Sequence, residues 1–209
     1  RMMDFRESET MKNLMRAFAG ESQARNRYTM AASQAKANGL YVIETVFTFT
    51  ADQEKEHAKL FYSHLKDMAG ETNAIDGGYP VDIAPEVSKL LRMAQHNELE
   101  EYDDVYKHFG DTAKQEGFAQ IGNLFHNIAA IEKTHADRFE HFAQLMEQGK
   151  LFVADQETAW MCLNCGYIYT GKEAPKACPV CRHDQGYFIR QVMAPFDFSQ
   201  VSCLCGCQN

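Results

Sequence analysis

Glutamate and histidine recur in this chain at positions where a helix ordinarily places oil. Gln53-Glu54-Lys55-Glu56-His57 and Glu132-Lys133-Thr134-His135 each contain a Glu-x-x-His, in phase with the apolar residues around it. On an α-helix, positions i and i+3 lie roughly 60° apart, one turn up the same side. A carboxylate and an imidazole so placed can grip one metal ion together. Two helices carrying such pairs must face each other across something that tolerates charge.

Four helical stripes surround these pairs. Residues from about 4 to 37 recur at three- and four-residue steps through Leu14, Ala17, Phe18, Glu21, Ala24, Tyr28 and Ala32, and Asn38-Gly39 ends the run. A second helix is expected from about 41 to 69, with Ile43, Val46, Phe47, Thr50, Glu54, His57, Phe61 and Leu65 on one face. A third, about 86 to 115, aligns Val87, Leu91, Ala94, Glu98, Glu101, Val105 and Phe109. The fourth, about 118 to 148, has the cleanest stripe: Ile121, Leu124, Phe125, Ile128, Glu132, His135, Phe139, Phe142 and Met146. Between the second and third, residues 70–85 are rich in turn formers and lack helical period. That length suits a crossover along a bundle better than a hairpin.

Glu21, Glu54, Glu98, Glu101 and Glu132 all fall on core faces, and only Arg25 suggests itself as a compensating cation. An ionised carboxylate buried without a partner costs several kcal/mol. Five of them exceed the ordinary stability of ~5–15 kcal/mol. Two divalent cations held by these carboxylates and the two histidines remove the conflict, and an oxygen-rich set with two imidazoles suits iron or manganese better than zinc or copper. Two Glu-x-x-His helices plus a Glu from each of two others is the ligand set of ferritin-like di-iron bundles, and this sequence fills it. Tyr28 and Tyr106, seven and eight residues beyond Glu21 and Glu98, are placed to donate hydrogen bonds to ligating carboxylates. His64 and His108 lie too far along the stripes to join the same ions, and His96, His126, His141 and His183 read as surface or satisfied residues.

All seven cysteines lie beyond residue 160, so this is no disulfide-stapled secreted scaffold. Cys162-x-x-Cys165 and Cys178-x-x-Cys181 form two knuckles, the tetrahedral thiolate set that binds zinc or a single iron. The ligand set alone leaves the metal open. Beside a di-iron signature a one-electron iron centre makes functional sense, with zinc the alternative. Cys203, Cys205 and Cys207 read as part of a tail. The net charge of −8 argues against nucleic acid as the main partner. No apolar run approaches membrane-spanning length, and Arg1-Met2-Met3-Asp4-Phe5-Arg6-Glu7 has no apolar signal core, so the expected location is the cytoplasm, with no membrane partner.

With these motifs the chain resembles the rubrerythrin family: a ferritin-like all-α four-helix bundle, with its long crossover between helices 2 and 3, followed by a small rubredoxin-like β module. The resemblance covers residues 4–194 and rests on Glu21, Glu54-x-x-His57, Glu98-x-x-Glu101, Glu132-x-x-His135 and the two cysteine knuckles. Glu101 is its specific mark, since ferritin and bacterioferritin sites lack it. The implied division is a di-iron bundle over 1–150, an Fe(SCys)4 module over 151–194 and a cysteine-containing tail over 195–209. By resemblance Glu54 and Glu132 bridge the irons, Glu21, Glu98 and His135 are terminal ligands, and His57 and Glu101 alternate on one iron as its oxidation state changes. Tyr28 and Tyr106 match the family's hydrogen-bonding tyrosines. Two departures stand out: Arg182 occupies a position where free rubredoxins carry Gly, and the Cys-rich tail has no family counterpart.

The resemblance implies a peroxidase that reduces hydrogen peroxide to water, working as a homodimer in which one subunit's Fe(SCys)4 centre faces the other's di-iron site. Glu101, through its ligand shift, is the expected proton relay. No Gly-x-Gly-x-x-Gly fingerprint appears, so a rubredoxin or an NAD(P)H:rubredoxin reductase is expected to supply electrons. Two rival readings are a ferroxidase, which has no need of the thiolates, and a bundle scaffold carrying a zinc-ribbon interaction module.

Overall fold

A computed structural model describes residues 3–199; Cys203, Cys205 and Cys207 lie outside the described residues. The bundle consists of α1 (Glu9–Ala37), α2 (Tyr41–Ser63), α3 (Val87–Glu100), α4 (Tyr106–Gln115) and α5 (Ala119–Glu147), with the π-helical segment Glu101–Val105 joining α3 to α4. The expected third helix is therefore one rod with a π-turn in its middle. Such insertions widen a helix locally and are frequent at functional sites.

Two boundaries differ from the periodicity. The first helix begins at Glu9 instead of about 4, because Ser8 caps it: the Ser8 hydroxyl oxygen accepts from the Met11 N–H at 3.0 Å. Phe5–Glu7 form a separate 3-10 turn. The second helix stops at Ser63 instead of about 69, and a 3-10 turn over Lys66–Met68 follows before Gly70 at φ +86°. Arg6 pins that turn, donating to the Asp67 carbonyl at 2.9 Å and pairing with Glu71 at 2.7 Å.

The crossover lies lengthwise on α1. Arg16 pairs with Asp76 at 2.6 Å, the Tyr79 hydroxyl donates to the Arg16 carbonyl at 2.8 Å, and Arg27 pairs with Asp82 at 2.9 Å. Gln34 then donates to the Pro85 carbonyl at 3.0 Å. Higher residues of the crossover thus meet higher residues of α1, which carries the chain back to the far end before α3 begins.

The apolar core is split in two. One cluster gathers Phe47, Leu91 and Phe139, and the other Leu14, Phe61 and Phe125. Each of these side chains is fully buried, a contribution of about 1.5–3 kcal/mol apiece. Glu21, Glu54, His57, Glu98, Glu132 and His135 occupy the layer between the clusters. A polar layer is thus clamped between two dry plugs.

Beyond α5 the chain forms a three-stranded antiparallel sheet, with β1 (Val153–Cys162) between β2 (Ile168–Glu173) and β3 (Phe188–Arg190). Trp160 fills its small core and donates its indole N–H to the Gly171 carbonyl at 2.9 Å. The module docks on the bundle's end. Leu151, Ile189 and Ala194 join the first apolar cluster, and Tyr187 stacks on Tyr41 at 4.1 Å. Gly186 meets the Gly39 backbone so closely that a Cβ there would sit 1.8 Å from the carbonyl oxygen. No other residue fits at this joint.

Candidate metal centre

The polar layer brings six of the seven expected bundle ligands together. Glu21, Glu54, His57 and Glu132 present ligand atoms within 4.8 Å of one another, and so do Glu54, Glu98, Glu132 and His135. Glu54 and Glu132 belong to both sets. The Nδ1 atom of His57 lies 3.6, 3.6 and 3.0 Å from Glu21, Glu54 and Glu132. That of His135 lies 2.7, 3.5 and 3.0 Å from Glu54, Glu98 and Glu132. The shorter of these contacts are within hydrogen-bond reach but misaligned for it. Glu21 Oε2, Glu98 Oε2, both oxygens of Glu54 and Glu132, and Nδ1 of both histidines are buried without a hydrogen-bond partner. Buried polar atoms are satisfied almost without exception. Eight that converge on two points fit a pair of cations.

The remaining carboxylate oxygens are committed elsewhere. The Tyr28 hydroxyl donates to Glu98 Oε1 and the Tyr106 hydroxyl to Glu21 Oε1. The expected tyrosine contacts therefore form, but crosswise: the tyrosine of α1 serves the glutamate of α3, and the tyrosine of α4 serves that of α1. Glu101 stands apart from both ligand sets. It opens the π segment, half-buried, and lines a cavity of about 350 Å³ together with Gly20, Arg27, Tyr79 and Tyr106. Arg25 makes no ion pair with these carboxylates, and its buried Nη1 has no hydrogen-bond partner. A cation that does feel them is Arg138, which the periodicity did not single out. Its pKa is lowered by burial, against the pull of Glu98 and Glu54.

Without cations the layer resolves its charge by sharing protons. Burial and the charge of Glu54 push Glu21 well above the usual carboxylate range, and burial with Glu54 and Glu98 does the same to Glu132. Burial pushes Glu54 up too, but the close approach of Glu21, His135 and His57 outweighs it and holds Glu54 low. Burial favours neutral imidazoles, yet the facing carboxylates win and raise His57 to about 12 and His135 to about 9.

The four cysteines also converge. Their sulfurs lie within 4.8 Å of one another, with Cys162–Cys181 and Cys165–Cys178 each at 3.7 Å, and all four are free thiols. A disulfide needs ~2.05 Å. A tetrahedron of thiolates at about 2.3 Å from a metal has S–S edges of about 3.8 Å, which is the spacing found. Backbone N–H groups turn inward to them, and that of His183 helps lower Cys181 to about 6. Gly166 and Arg182 hold equivalent places in the two knuckles at φ +80° and +66°, and the amide of each bonds back to the first cysteine's carbonyl. Arg182 adopts a left-handed conformation without being glycine.

The family model for rubrerythrin matches residues 12–143, and the model for the rubrerythrin rubredoxin-like domain matches residues 160–189. The chain belongs to the rubrerythrin family. It is 43% identical over 188 residues to the rubrerythrin of Clostridium perfringens, covering 90% of this chain and 96% of that one. To the rubrerythrin of Porphyromonas gingivalis it is 46% identical over 181 residues, covering 87% and 89%. Nigerythrin in its fully reduced, all-ferrous state superposes with a TM-score of 0.59 at 26% identity, covering 88% of this chain and 90% of that one. As a rubrerythrin the chain carries a di-iron site in its ferritin-like bundle and a rubredoxin-like four-cysteine site, and the two donor clusters fit them. Among the described residues no helix is long and apolar enough to cross a membrane.

Proposed function

We propose that this rubrerythrin is a non-haem di-iron peroxidase that reduces hydrogen peroxide to water under oxidative stress, its electrons relayed through the Fe(SCys)4 centre from an external NAD(P)H-dependent reductase or rubredoxin. The observation that carries the reading is the pairing, in one chain, of a two-cation cluster with a thiolate tetrahedron. Iron oxidation needs the first and has no use for the second.

In this reading Glu21, Glu54, His57, Glu98, Glu132 and His135 would hold the two ions, Glu54 and Glu132 being common to both donor sets, and the four cysteines would hold the third. When bound, the iron pair supplies one electron per ion to the peroxide and is recharged singly through the thiolate iron. One peroxide takes two electrons and two protons and leaves as two waters. The chain's own residues do the rest. Tyr28 and Tyr106 hold one oxygen each of Glu98 and Glu21, leaving the second oxygen of each buried and free to serve as a ligand. The cavity on the Glu101 side is large enough to admit a molecule of peroxide's size. Glu101 lies on its wall, and burial with the charges of Glu21, Glu98 and Glu54 raises its pKa well above the usual range. A raised pKa favours the protonated form, so Glu101 is the group that delivers a proton to the departing oxygen in this reading, while the second proton arrives from water through the same opening. In this reading two copies associate with the thiolate centre of one facing the iron pair of the other; sedimentation tests the association itself.

The decisive assay combines iron-reconstituted protein, an NAD(P)H:rubredoxin reductase and hydrogen peroxide without oxygen. NAD(P)H consumption that requires all three supports the proposal. Fe(II) oxidation by oxygen with no peroxide-dependent NAD(P)H consumption would establish an iron oxidase instead.

A further inference from the structure

The two imidazoles are not held alike. The Nε2 of His135 lies 2.9 Å from Gln53 Oε1, and Arg138 Nη1 donates to that same oxygen at 3.1 Å. Arg138 Nη1 also donates to Thr50 Oγ1 at 2.9 Å, and the Thr50 hydroxyl gives its own hydrogen to the Val46 carbonyl at 2.9 Å. The guanidinium lies over the Phe49 ring, 5.0 Å from its centroid.

Each link in this chain has one direction available. Arginine has donors and no acceptor, so whichever amide atom of Gln53 faces it must be the oxygen. An amide oxygen can only accept, so the His135 nitrogen beside it must carry the hydrogen. In a neutral imidazole the other nitrogen, Nδ1, is then the one with the free lone pair. Thr50 cannot reverse the sequence, because its hydrogen is already spent on Val46. Nδ1 of His135 is also the atom that faces Glu54, Glu98 and Glu132.

We propose that Arg138, acting through Gln53, is the positioning residue that selects the metal-binding tautomer of His135. Arg138 has no lone pair to offer a cation and acts only through Gln53. Its part is to forbid the flipped Gln53 amide, whose N–H would meet Nε2 and favour the hydrogen on Nδ1, where it blocks ligation. His57 has a buried, unpartnered Nδ1 like that of His135, but no hydrogen bond to Gln53. It serves as the internal control. The inference rests on the di-metal reading of the cluster and is independent of the reaction that the irons perform.

The test uses the full chain, with Fe(II) titrated anaerobically against a chromogenic chelator and the Zn(II)-loaded form observed by 1H–15N correlation of the imidazoles. In the unmodified protein two Fe(II) ions bind in the bundle, and His135 shows a slowly exchanging Nε2–H. Arg138→Met and Gln53→Leu are each expected to weaken Fe(II) binding roughly 10- to 100-fold, the usual cost of losing a group that orients a ligand. Both are expected to lose the slow Nε2–H of His135 while His57 is unmoved. Gln53→Glu, whose carboxylate also only accepts, restores both readouts. Unchanged affinity and an unchanged His135 signal in Arg138→Met and Gln53→Leu would overturn the proposal, and so would a Gln53→Glu variant as impaired as Gln53→Leu. Absence of Fe(II) binding by the unmodified bundle would instead strike at the di-metal reading itself.

Discussion

Tyr106 on α4 donates its hydroxyl hydrogen to Oε1 of Glu21 on α1, 85 positions earlier in the chain. Both side chains are buried, so the bond has no water to fall back on. Tyr106→Phe leaves a carboxylate oxygen unsatisfied, at a cost of about 1–3 kcal/mol. In a chain of this size that lowers Tm by roughly 2–4 °C per kcal/mol. Thermal melts of the iron-loaded protein should show the loss, together with weaker retention of one iron against a chelator.

Iron-free protein should become less stable as pH rises. His135 and His57 have folded pKa values of about 9 and about 12, above the ordinary value of ~6.5. A raised folded pKa stabilises fully below the unfolded value and is lost as pH climbs through the folded one. Glu21 and Glu132, also raised, act in the same direction from a lower starting point. Melting temperatures measured from pH 6.5 to pH 9.5 should fall for the iron-free chain and stay level once Fe(II) or Zn(II) is bound. A rise over that range in the iron-free chain would contradict the proton-sharing picture.

Glu101→Ala should slow peroxide reduction far more than it lowers iron content, because Glu101 lines the cavity and lies outside both ligand sets. Iron analysis and steady-state rates on the same preparation separate the two effects. Equal losses of iron and rate would reduce Glu101 to a ligand alone.

Cys162→Ser removes one corner of the thiolate tetrahedron. Reductase-coupled turnover should be abolished and the red colour of ferric thiolate lost. The chemically reduced bundle should still consume one equivalent of peroxide. Undiminished coupled turnover in this variant would refute the relay.

Arg182→Gly should stabilise the cysteine module. Arg182 holds φ +66°, a conformation that costs a side-chain-bearing residue about 1–2 kcal/mol, partly offset by the greater chain entropy of glycine. A net gain of about 0.5–1 kcal/mol in denaturant unfolding of the module is expected.

Helix periodicity, ligand types and knuckle spacing are local properties, and they were legible along the chain. A carboxylate in phase with leucine reports its own burial, and a Cys-x-x-Cys reports its own knuckle. For that reason Glu21, Glu54, His57, Glu98, Glu132 and His135 could be picked out before any helix was placed. The crossed service of Tyr28 to Glu98 and Tyr106 to Glu21 depends on which helices lie side by side and at what height. The same holds for Arg138, which reaches Gln53 across 85 residues and which no periodicity marks out. Glu101 shows the limit most sharply. Its spacing from Glu98 is that of the other ligand pairs, yet it opens the π segment and lies outside both donor clusters, while His57, expected to alternate with it, lies inside one. A π-turn changes the direction of the side chains around it without changing their place in the sequence, and it is visible only once the helix is packed in the bundle.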